Sequence, residues 1–159
     1  MRKIIAAVAT LCLCGGADAK PTKLANPAKT AIAKLNALTT SDISWNLAKA
    51  KSADVTCSGD ADRILFGSSK GSVWIGIVPA HAKPQLMDFP VSHGTQNGFC
   101  ARPKKISLTR LSCDGGEGGK LDGWKPNKTC KQFSLDDADC DPFNFYWDNR
   151  HKIMRWWRN

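Results

Sequence analysis

The chain has 159 residues, 23 Lys plus Arg against 14 Asp plus Glu, a formal charge of +9, seven cysteines and a hydrophobic share of 42%. These totals fit one globular domain and exclude a large parallel-sheet hydrolase within this sequence, and the apolar content is too high for a wholly disordered basic tail. Thirteen of the fourteen acids are Asp, with Glu117 the exception, which favours turns and loops over long exposed helices.

Met1, Arg2 and Lys3 open the chain, residues 4–14 are apolar, and Ala17-Asp18-Ala19 has the small-x-small form of a cleavage site. This layout predicts a secretory signal peptide over residues 1–19. A membrane anchor needs about 20 apolar residues, and only eleven uncharged ones stand before the glycines. Cleavage would remove Arg2, Lys3, Asp18 and two cysteines, leaving a charge of +8, no transmembrane segment, and Cys57, Cys100, Cys113, Cys130 and Cys140. A periplasmic or secreted location is the expectation, and in an oxidising compartment five cysteines read as two disulfides plus one spare thiol. The sequence leaves the pairing open; one possibility joins Cys113 to Cys130 across the Gly-rich loop 114–119. Gaps of 43, 13, 17 and 10 positions do not cluster ligands as structural zinc requires, so no metal and no cofactor are expected.

Residues 20–53 read as a basic helical arm. Asn26 is placed to cap, Pro27 suits a first helical turn, and Ala28, Ala31, Ile32, Leu35 and Leu38 share one face. Ser41 and the apolar trio Ile43, Leu47 and Ala50 predict a second helix over 42–50. From residue 54 the period changes to two. Runs at 54–57, 63–66, 72–78, 85–91, 105–113 and 129–133, divided by Gly, Pro, Ser and Asp, predict antiparallel strands. Residues 143–147 and 153–158, either side of the polar turn 148–152, predict a C-terminal hairpin with Phe143, Phe145 and Trp147 facing the core. The expected fold is therefore mainly β with an N-terminal helical arm: a disulfide-stabilised antiparallel sandwich or barrel of about seven or eight strands over residues 54–159.

Three motifs suggest chemistry and are weak on inspection. Gly67-Ser68-Ser69-Lys70-Gly71 has the spacing of a serine nucleophile elbow, which needs a strand before it and a helix after it. Here a second strand follows, and a Ser- and Gly-rich hairpin loop is the better reading. A phosphate-loop reading of the stretch ending Gly119-Lys120 fails at Asp114 and Leu121. Asp137, Asp139 and Asp141, with Asp148 at the twelfth position, imitate a calcium loop, but Pro142 stands where its turn glycine belongs.

Charge distribution is more informative. Residues 20–51 carry +5, 102–131 carry +5 and 146–159 carry +3, while 132–145 carry −4. Arg102, Lys104, Lys105, Lys120, Lys125 and Lys128 accompany Trp124 around the Gly-rich loop, and Arg155 and Arg158 flank Trp156 and Trp157 at the end of the chain. Basic groups beside aromatic rings suit anionic partners, because rings add stacking or cation–π contact to charge attraction. These residues are the candidate binding surface of an exported non-enzymatic binding or inhibitor module that recognises a protein or an anionic envelope polymer. Nucleic acid is not the expected partner, since the sequence has no reading helix or stacking-sheet motif. The alternatives are a small exported hydrolase using Ser69 or an Asp with one of His81, His93 and His151, and a surface-adhering protein whose basic helix lies on a membrane.

Overall fold

The computed structural model describes residues 26–110, 121–138 and 140–158. The signal-peptide segment, the Gly-rich loop, Cys113, Lys120 and Asp139 lie outside them. One helix, α1 (Pro27–Asn36), precedes nine strands: β1 (Ser44–Trp45), β2 (Lys51–Ala53), β3 (Asp62–Ser69), β4 (Ser72–Val78), β5 (Gln85–Pro90), β6 (Ile106–Arg110), β7 (Lys131–Asp137), β8 (Cys140–Asp148) and β9 (Ile153–Trp157). In the first sheet β3, β4 and β5 follow one another, and β1 and β2 both pair with the remaining side of β3. The second sheet runs β6-β7-β8-β9, and every strand pair in both sheets is antiparallel.

Alternation along the strands builds one core between the sheets. Ile64 and Phe66 of β3, Val73, Ile75 and Ile77 of β4 and Phe89 of β5 meet Phe133, Leu135, Phe143, Phe145 and Trp147 of the second sheet. Burying each such side chain contributes about 1.5–3 kcal/mol. The Phe133 and Phe145 rings stack at 4.6 Å, and Phe143, Phe145 and Trp147 all point inward as the alternation requires. The fold is thus the expected antiparallel sandwich, with nine described strands.

A third layer lies on the outer face of the first sheet. Asn26 Oδ1 accepts the Ala28 N–H at 3.0 Å, Pro27 starts α1, and Ala31 and Leu35 are buried against Leu65 and Val78. Gly76 lies beneath this contact, where a Cβ would strike the Leu35 side chain and force it to shift.

The second expected helix does not form. Residues 42–50 instead contain β1 and a short 3₁₀ turn, Leu47–Lys49, and Leu47 is 46% exposed. The cause is tertiary. Gly67 has no side chain, so Ile43 and the Ser44 carbonyl close onto β3 where a Cβ would have held them off. Residues 54–57 are not a strand either: the N–H groups of Val55 and Thr56 donate to the buried Asp62 carboxylate at 2.9 and 2.8 Å. The strand expected at 129–133 begins at Lys131 and continues to Asp137.

Disulfides join Cys57 to Cys130 and Cys100 to Cys140. They overturn the Cys113–Cys130 pairing, since Cys130 is already bonded. Four of the five cysteines beyond residue 19 are accounted for in this way.

The long edges of the sandwich are finished differently. Where β5 meets β9, the Gln85 amide accepts the Met154 N–H at 2.8 Å and donates to the Lys152 carbonyl at 3.2 Å. Further along, Trp156 lies edge-on to Phe89 at 5.5 Å. At the end of the chain Arg158 donates to Asp137 at 2.9 Å and to the Gly98 carbonyl at 2.8 Å, with its guanidinium over the Phe143 ring. The other edge, between β1 and the segment entering β6, has an open hollow of about 490 Å³.

Candidate functional site

The β8–β9 hairpin is organised by one carboxylate. Asp148 ends β8 fully buried and accepts the N–H groups of Arg150 and His151 at 2.9 and 3.0 Å, His151 Nδ1 at 2.7 Å and Arg155 Nε at 2.6 Å. Burial works to raise its pKa, but these donors outweigh burial and hold the carboxyl well below the usual range. The Asp148 bond in turn raises the Arg155 guanidinium, and burial pushes the Tyr146 hydroxyl up.

Residues 121–130 lie over this hairpin on the outer face of the second sheet. Tyr146 donates its hydroxyl to the Asp122 carbonyl at 3.1 Å, the Asn149 N–H donates to the Gly123 carbonyl at 2.9 Å, and the Cys57–Cys130 bridge fixes the far end. Asn127 Oδ1 accepts three further donors, from Thr129 and Cys130. Gly123 has φ +70°, and a Cβ on it would run into the Asp148 carboxylate, so only glycine fits. Leu121, Trp124 and Trp157 pack around Tyr146 and Cys130. An open hollow of about 610 Å³ results, lined by Leu121, Asp122, Gly123, Trp124, Lys125 and Arg150.

The expected binding residues do not form one surface. Trp124 is half-buried on the wall of this hollow with exposed Lys125 beside it, and Lys128 is exposed on the same loop. Arg155 lies next to them but is bound to Asp148. Arg102, Lys104 and Lys105 are exposed on the segment entering β6, at the opposite edge of that sheet from β9. Trp156 packs on the core between Phe89 and Phe143. The Arg158 side chain is only 6% exposed and is engaged with the fully buried Asp137. Asp122 and Gly123 carry no mark in the sequence reading, and Arg150 enters it only through the +3 charge of residues 146–159. An Asp at the start of a polar turn, accepting N–H groups two and three residues on, was the available signal.

Asp122, Asp148 and His151 offer ligand atoms within 4.8 Å of one another. The donors already on Asp148 occupy both its oxygens, and Arg155, with Nη2 3.9 Å from Asp122, supplies the positive charge between the two carboxylates. The His93, Cys100 and Cys140 cluster offers no thiolate, because its two sulfurs are joined. The calcium-loop reading fails geometrically. Asp137 is engaged with Arg158 at the β7–β8 turn, while Asp148 lies at the other end of the nine-residue β8.

Ser69 does not stand on a nucleophile elbow. It ends β3 opposite Ser72 across a two-residue turn in which Lys70 and Gly71 have φ of +39° and +85°, a strand–turn–strand hairpin. His81 bonds to Asp60, and His151 to Asp148. Among the described residues no helix is long and apolar enough to cross a membrane. A scan against protein-family models gives no match, and searches of curated proteins and of solved structures likewise return none.

Proposed function

We propose that the protein is an exported, non-enzymatic binding or inhibitor module that recognises an anionic partner, a protein or an envelope polymer, through the surface around Trp124. The carrying observation is the convergence of two basic blocks, distant in sequence, on one rigid hollow. Lys125 comes from the first and Arg150 from the second, with the Trp124 ring beside them. Both are exposed and neither side chain pairs with a carboxylate among the described residues, so their charge is available to a partner. The loop is held by a disulfide and by bonds to Tyr146 and Asn149, so little ordering entropy opposes binding. The two disulfides are compatible with an extracellular or periplasmic setting.

Pull-down from an envelope extract at moderate salt tests this reading. Retention of the wild type, its decline with added salt, and at least a tenfold loss in Lys125→Glu/Arg150→Glu are expected. Equal retention of the double variant, or no retention of the wild type at any salt, would overturn it.

A further inference from the structure

We infer that the open edge of the sandwich is a second binding site, one that takes a small single-chain amphiphile with an anionic head. The hollow between β1 and the segment entering β6 has about 490 Å³, within the range of small-molecule pockets, which runs from about 300 to 1,000 Å³. Its wall is the inner face of the sandwich itself. Phe66 and Val73, core residues only 5% and 1% exposed, line it together with Leu47 and Pro103. Leu47 has no packing partner sufficient to bury it and remains 46% exposed at the mouth. An apolar chain laid in the hollow would take the exposed Leu47 side chain out of water.

The head group is set by Arg102. It lines the same hollow, is exposed, and has no salt-bridge partner among the described residues. The remaining polar groups there are uncharged, such as the Ser68 hydroxyl, so the local charge selects an anion over a cation. A guanidinium matches a carboxylate or phosphate in two parallel hydrogen bonds.

An added peptide strand is the poorer occupant. β3 already pairs with β1 and β2 on this side, and the Asn46 N–H takes the Phe66 carbonyl between them at 2.9 Å. No run of backbone groups on β3 is left for a visiting strand, and β1, which ends the sheet here, is only two residues long, so the hollow recognises by shape and charge.

Octanoate is the probe, titrated into the full oxidised protein, with octanol and octylammonium as controls. Amide spectra of isotope-labelled protein should shift around Ser44, Phe66, Gly67 and Arg102, with octanoate binding at least about tenfold more tightly than either control. Arg102→Ala should reduce octanoate to the affinity of octanol, and Leu47→Glu, a change at an exposed position, should abolish binding by placing a like charge in the mouth. No shift with octanoate at millimolar concentration, equal binding of all three probes, or shifts confined to the Trp124 hollow would overturn the inference. Lys125→Glu/Arg150→Glu should bind octanoate as the wild type does, so either site can fail without the other.

Discussion

Two edges of one sandwich show how differently a basic residue can be used. At the β5–β9 edge the chain closes the gap between sheets with a Gln85 amide, a Trp156 ring and the Arg158 guanidinium, which is nearly excluded from water. At the β1–β6 edge Arg102 stands at the mouth of a gap that none of the described residues closes. Both arginines add equally to net charge. Only one is available to a partner, and the difference lies in whether a buried carboxylate, here Asp137, lies within reach.

The sharpest way to break this comparison is Arg158→Ala. It leaves the buried Asp137 carboxylate with the Ala101 N–H but no cation and should cost about 4 kcal/mol in urea denaturation, against no more than about 0.5 kcal/mol for Arg102→Ala. Similar losses for the two would show that Arg158 does not close the edge. Next in size is the turn that presents Lys152 to Gln85. Asp148→Asn should destabilise by about 3 kcal/mol at neutral pH. The folded carboxyl titrates below its unfolded value, so the stability it contributes is fully present above about pH 5 and is lost as pH falls through 4 and lower. Denaturation followed against pH should therefore fall more steeply for the wild type than for the variant, and parallel curves would contradict the assignment. Smaller is Gln85→Leu, which orphans the Met154 N–H and should cost about 2 kcal/mol. Leu47→Ser on the open edge, measured the same way, should stay within about 0.5 kcal/mol.

Local rules carried the sequence reading where the fold obeys them. β4 is expected at 72–78 and is found there, because a two-residue turn precedes it, Pro79 follows it and its residues alternate between core and outer face. α1 followed from its Asn26 cap and Pro27. β1 and β2 were illegible. They are two and three residues long, and Ile43, Leu47 and Ala50 imitate a helical stripe that only the bare face of Gly67, more than fifteen residues on, overrides. The candidate site was half legible for a related reason. Charge and aromatic content identified Trp124 and Lys125, but sequence alone does not separate a cation that faces water from one that neutralises a buried Asp. Arg155 and Arg158 therefore group with Lys125 in sequence, although each is bound to an acid, while Arg150 counts only towards the charge of residues 146–159.

The two disulfides interleave along the chain, since Cys100 lies between Cys57 and Cys130, and Cys130 lies between Cys100 and Cys140. Neither covalent loop, with separations of 73 and 40 residues, nests within the other. A chain oxidised in the order in which it is synthesised has Cys57 and Cys100 available to each other before either native partner exists. In a chain oxidised in that order, a Cys57–Cys100 bond would have to be exchanged before the native pairs form, and bond reshuffling would slow maturation alongside collapse of the core.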